Sequence, residues 1–135
     1  MSLKMHLFIY IYHKHILLYK IKCILDGDRL YPEFNPLVGR PFKLVCDTEA
    51  NITNTLTIRF PNGITAGYCD PPSALVPVDC AASAGYTSAL NEIEDTVTIS
   101  TNSIASDVNG TWTCTYFADT FSYNLVAPIR GIACY

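Results

Sequence analysis

From Gly110 to Tyr116 the chain alternates without a break. Trp112, Cys114 and Tyr116 fall on one side, and Thr111, Thr113 and Thr115 on the other. A period of two marks a β-strand with one buried face. The same period runs through Phe42, Leu44 and Cys46 in Pro41-Phe42-Lys43-Leu44-Val45-Cys46, through Leu56-Thr57-Ile58-Arg59-Phe60, and through Thr96-Val97-Thr98-Ile99-Ser100. Tyr123-Asn124-Leu125-Val126 predicts a further strand, entered by a turn over Ala118 to Ser122. Asp107-Val108-Asn109-Gly110 and Pro61-Asn62-Gly63 carry the Asp, Asn, Gly and Pro residues of tight turns. No internal repeat is visible, and the expected fold class is all-β.

A cysteine on the inward face of a strand needs a partner, and Cys46 offers one for Cys114. Two alternating strands far apart in sequence, each with a cysteine on its apolar face, predict two sheets stapled through a core. Trp112, Leu44, Ile58 and Phe60 are the expected core side chains.

Over residues 36–126 the chain resembles the immunoglobulin-like family. Asp107-Val108-Asn109-Gly110-Thr111-Trp112-Thr113-Cys114 is similar to the family's D-x-G-x-Y-x-C signature in strand F, and Cys46 stands in the place of the strand B cysteine. Val38-Gly39-Arg40-Pro41 is similar to the run from strand A′ into strand B, and Ile104 to the residue that tucks inward at the E–F corner. There are departures. Trp112 occupies the position of the corner tyrosine, Asp107 lies one residue further from the cysteine, and no tryptophan stands in strand C, where Ile58 or Phe60 must fill the space. The resemblance implies a two-sheet antiparallel sandwich with a short N-terminal extension. Fold alone does not fix function.

The segments between these strands are less regular. Asp26 to Pro36 reads as a linker into a first edge strand, since Pro32 and Pro36 bar a central one. Asp47 to Asn54 is a polar loop. Cys69 and Cys80 flank a segment with three prolines (Pro71, Pro72 and Pro77), which predicts a loop closed by a local disulfide. Gly85 to Asp95 shows no clear period.

Residues 1–22, MSLKMHLFIYIYHKHILLYKIK, differ from the rest. His13-Lys14-His15 interrupts the apolar run, so neither half reaches the roughly 20 residues that a membrane-spanning helix needs. A signal peptide would want an uninterrupted apolar core and a small-residue cleavage site. A truncated or wrongly assigned start, a degenerate signal peptide and an amphipathic segment stay open. The expected organisation is an extension over 1–30 and one immunoglobulin-like domain over 31–130. Cys23 and Cys134 are left over, and Cys134 is expected to pair in a longer chain or with a second subunit.

A chain of 135 residues holds one ordinary domain and a short extension. Its net charge of −3 hides an asymmetry: residues 1–22 carry four lysines and no acid, the remainder five basic and twelve acidic residues. Nucleic acid is thereby excluded as a partner, because phosphate contacts need clustered Lys and Arg. Six cysteines without a C-x-x-C pair point to disulfides, with zinc a weak alternative. Sequons at Asn51-Ile52-Thr53 and Asn109-Gly110-Thr111 make Asn51 and Asn109 candidate glycosylation sites. Cysteines and sequons together favour the secretory pathway.

All three histidines (His6, His13 and His15) lie in the extension, leaving the rest without a histidine for a nucleophilic triad or a zinc site. Glu92, Glu94 and Asp95 read as a solvated loop rather than acid–base machinery, and Asp26-Gly27-Asp28 lacks the spacing of an EF-hand. No cofactor, metal or catalytic residue is expected. Tyr68 and Tyr86 near the Cys69–Cys80 loop, and Phe121 at the tip of the last hairpin, are the candidate binding aromatics. A rigid loop lowers the entropy cost of recognition. The expectation is an extracellular or cell-surface module for adhesion or immune-type recognition of a protein or glycan. The alternative is a spacer contacting neighbouring domains of a receptor. Membrane association would come only through the extension or segments outside the chain.

Overall fold

The computed structural model of the protein describes residues 2–12, 16–26 and 29–127. The first two segments form β1 (Ser2–Tyr12) and β2 (Ile16–Asp26), an antiparallel pair with Ser2 opposite Asp26 and Tyr12 opposite Ile16. Cys134, His13, His15 and the side chains of His6 and Cys23 lie outside the described residues, as do Gly27 and Asp28.

The remaining nine strands build two antiparallel sheets. β3 (Leu30–Pro32), β4 (Phe42–Asp47), β8 (Tyr86–Asn91) and β9 (Thr96–Thr101) make one, in the order β3-β4-β9-β8. β5 (Leu56–Arg59), β6 (Thr65–Asp70), β7 (Asp79–Ala82), β10 (Gly110–Tyr116) and β11 (Asp119–Leu125) make the other, ordered β11-β10-β5-β6-β7. The fold is thus an all-β two-sheet sandwich. Leu30, placed with the extension by the sequence, belongs to it: it pairs with Cys46 and is fully buried. The edge strand β3 ends at Pro32, and no strand forms over Val38–Pro41. There the backbone is clamped instead, Gly39 N–H donating to the Ile104 carbonyl (2.9 Å) and Ile104 N–H to that of Arg40 (3.0 Å).

Alternation puts Leu44, Cys46, Leu56, Ile58, Val97, Ile99, Trp112, Cys114 and Leu125 between the sheets, all of them fully buried. Phe60 is half-buried at the margin of this core. The Cys46–Cys114 disulfide joins β4 to β10 across the sheets. Trp112 is the hub of an aromatic cluster, with ring centroids 4.9 Å from Phe60, 5.9 Å from Phe42 and 6.3 Å from Tyr86. Its indole N–H donates to the Val108 carbonyl at 3.0 Å, so the one polar atom of a fully buried ring is satisfied. Ile104 is also fully buried.

Three strands lie where the sequence shows no apolar alternation. On β6 and β8 the inward positions at one margin are small. A Cβ at Gly67 would come within 2.9 Å of Ile99 Cδ1, and within 3.2 Å of both the Ala81 carbonyl oxygen and Ser88 Cβ. Ser88 spans this gap, its hydroxyl donating to the Ala81 carbonyl at 2.7 Å. Close approach of two sheets thus replaces large apolar side chains, and the pattern that announces a strand disappears. β7 is the third, and it pairs with β6 with Cys69 opposite Cys80.

Candidate functional site

Cys69 and Cys80 are bonded, but they do not close an irregular loop. They are facing residues of the hairpin β6–β7, a cross-strand staple one pair away from the hairpin's end at Asp70 and Asp79. The prolines that argued against strands are confined to the connection, residues 71–78. Within it the Ser73 N–H donates to the Val76 carbonyl (2.8 Å) and the Val76 N–H to Ser73 Oγ (3.2 Å). The Thr55 hydroxyl donates to Asp70, fastening the hairpin base to the segment before β5. A staple, three prolines and a bonded turn leave this connection few conformations to lose on binding.

That rigid connection carries apolar side chains into water. Leu75 is 96% exposed, Val76 58% and Val78 42%. Three large aliphatic residues exposed within four positions form a patch rather than the scattered exposure normal for a surface. Sequence reasoning missed them because a loop has no period to tell which side chains face out. The available signal was aliphatic residues set among prolines between two cysteines.

The three aromatic candidates occupy three different places. Tyr68 lies on the outward face of β6, half-buried between Thr57 and Ala81 of the neighbouring strands. It looks out over a hydroxyl-rich sheet face that includes Thr57, Thr111, Thr113, Thr115, Thr120 and Ser122. Tyr86 begins β8, with its ring edge-on to Phe60 at 5.2 Å. Phe121 is not at a hairpin tip. The turn is Phe117-Ala118, where Phe117 adopts φ 55°, and β11 is already running at Asp119. Phe121 sits opposite Cys114, packs against the core, and lies 5.2 Å beneath the Arg29 guanidinium. The exposed aromatic of that tip is Phe117, its ring against Tyr116.

Asn51 and Asn109 are both exposed. The Tyr116 hydroxyl, on a side chain otherwise buried, donates to the Asn51 carbonyl (3.2 Å) and accepts from the Thr53 N–H (3.0 Å), which ties the first sequon loop to β10. Asn109 accepts the Ala127 N–H at 2.9 Å through Oδ1. Glu92 and Glu94 are exposed in the β8–β9 turn, which Asn91 fixes by accepting the Ile93 and Glu94 N–H groups. Among the described residues no three His, Cys, Asp or Glu side chains gather as a metal site, and no helix is long and apolar enough to cross a membrane.

Burial raises the Tyr123 phenol to about 12. Tyr31 is raised by burial and by Asp47, Glu94 and Glu33, and Tyr86 by burial and Asp107. A tyrosine in the unfolded chain ionises at about 10. Between these two values the native Tyr123 keeps a proton that the unfolded chain has shed. Its stabilisation is therefore complete below the unfolded pKa and is lost as pH rises through the folded one. By pH 11.5 the loss from this residue is expected to be about 2 kcal/mol. Urea unfolding at pH 8.5 and 11.5 checks this: Tyr123→Phe must show a smaller alkaline drop than the parent, and an equal drop refutes the assignment.

No protein-family model matches the chain, and neither does any curated protein. The two disulfides fit an oxidising environment.

Proposed function

We propose that this chain is an immunoglobulin-like domain that works outside the cell by binding a protein or glycan ligand, without catalysis. The sheet order supports the family. β3-β4-β9-β8 against β11-β10-β5-β6-β7 corresponds to strands ABED facing GFC with C′ and C″ added, the variable-type arrangement. The Cys46–Cys114 bond joins the strands that correspond to B and F. Trp112 performs the corner tyrosine's task, since its indole N–H bonds back to a carbonyl four residues upstream. The single-turn 3-10 helix Ser106–Val108 takes up the extra residue between Asp107 and the cysteine.

The observation that carries recognition is the stapled β6–β7 hairpin with Leu75, Val76 and Val78 in water. An apolar tip costs solubility and contributes nothing to the core, which is the signature of a contact surface. Asp70 and Asp79 at its base favour a ligand whose apolar contact is bordered by positive charge. Absence of histidine from residues 29–127 supports a non-catalytic role.

The test is surface plasmon resonance of the oxidised protein against a panel of soluble ectodomains and glycans. A ligand is expected whose affinity falls at least about tenfold in a Leu75→Ser/Val76→Ser variant, while the unfolding midpoint moves little because both side chains are exposed. Binding that ignores this variant would remove the hairpin from the proposal. A panel with no ligand at all would favour the spacer.

A further inference from the structure

We propose that a second site, at the far end of β5 from the hairpin tip, binds a cationic group on an apolar stem, an alkylammonium or a guanidinium. Leu56 pairs with Cys69 next to the hairpin, whereas Phe60 follows the other end of β5, so the two sites are separate. A cavity of about 410 Å³ opens there, where Phe60-Pro61-Asn62, Ala84-Gly85-Tyr86 and the segment from Thr101 to Val108 meet. That volume falls within the range of small-molecule sites, roughly 300–1,000 Å³.

The lining fixes the chemistry of the guest. Phe60 and Tyr86, ring edge to ring face at 5.2 Å, supply aromatic wall, and Trp112 stands behind both. Asp107 supplies the one carboxylate, and no Lys, Arg or His lines the cavity. Among the described residues Asp107 has no cation in ion-pair contact, while Arg29 and Lys43 are engaged with Glu49 and Glu33. Asp107 stands at the solvent-exposed rim of the cavity, near enough that its charge, after burial, adds to raising the Tyr86 phenol. An unpaired carboxylate beside aromatic walls attracts a cation twice, by charge and by the ring quadrupole. A neutral guest gains only the apolar contact, and an anion is repelled. The same group can arrive as a free amine or as a lysine or arginine side chain of a partner protein.

Amide NMR titration of the oxidised full chain tests this with n-pentylammonium, n-pentanol and the blocked peptides Gly-Lys-Gly and Gly-Arg-Gly. The expected result is saturable shifts at Phe60, Asn62, Gly85 and Tyr86 with the amine, none with pentanol at the same concentration, and about threefold to fivefold weaker binding in Asp107→Asn, whose carboxylate is exposed in the parent. Tighter binding of a peptide than of the amine assigns the cavity to a partner's side chain, and the reverse assigns it to a free amine. Pentanol shifting the same amides as strongly, or Asp107→Asn binding the amine as tightly as the parent, overturns the proposal. If Asp107→Asn does not fold, the comparison of amine with alcohol on the parent protein decides alone.

Discussion

Trp112→Ala is expected to lose about 3–5 kcal/mol of stability, a large share of the roughly 5–15 kcal/mol that holds a domain of this size folded. The loss has two sources. Removing a fully buried indole opens a void facing Phe42, Phe60 and Tyr86, three rings held by the rest of the core that cannot collapse into it together. It also leaves the Val108 carbonyl without its donor. Trp112→Phe separates the two, since it keeps a ring against the cluster and forfeits the hydrogen bond. Urea unfolding of the oxidised proteins should place Trp112→Phe between parent and alanine variant. If alanine costs less than about 1 kcal/mol, Trp112 is not the hub of this core.

Cys46→Ala with Cys114→Ala is expected to cost about 4 kcal/mol, the chain-entropy figure for a bridge spanning 68 residues. The corresponding figure for Cys69–Cys80, spanning 11, is about 3 kcal/mol. The two bridges should differ more in where their loss is felt than in its size. Cys46–Cys114 ties the sheets face to face, so its removal is expected to lower protection from hydrogen exchange throughout β4, β9 and β10. Cys69–Cys80 ties two adjacent strands at a margin, so beyond its smaller global loss its removal should add local opening of β6 and β7. Unfolding midpoints and exchange rates of the two double variants check both statements. A global loss from the hairpin bridge larger than that from the core bridge, or no extra local exchange in β6 and β7, would contradict them.

The strands legible in the sequence were those whose inward positions are large and apolar: Phe42, Leu44 and Cys46, then Leu56 and Ile58, then Val97 and Ile99, then Trp112, Cys114 and Tyr116. β6 and β8 escaped because Gly67 and Ser88 stand where the two sheets nearly touch, and closeness leaves no room for the residues that make a pattern. β7 escaped because the nearby prolines were charged against the strand rather than against its turn. Phe121 was misplaced through the turn: the chain reverses at Phe117-Ala118, three residues earlier than its composition implied. The candidate sites were less legible still. An exposed Leu75 reads like a buried leucine until the backbone is known. Phe60, Tyr86 and Asp107 converge only because β5, β8 and the segment before β10 end side by side.

The spacing of the four cysteines bonded among the described residues also orders events in time. Synthesis delivers roughly 5–20 residues per second, so Cys80 follows Cys69 within about 2 s, whereas Cys46 waits roughly 3–14 s for Cys114. Through that interval Cys46 lacks its native partner while Cys69 and Cys80 are already present, and a bond from it to either would join strands of opposite sheets in the wrong register. Prompt pairing of Cys69 with Cys80, favoured by their eleven-residue separation, takes both competitors away. Loss of the hairpin staple is therefore expected to be felt first as mispaired chains, a larger share of non-native bridges when the reduced protein is reoxidised.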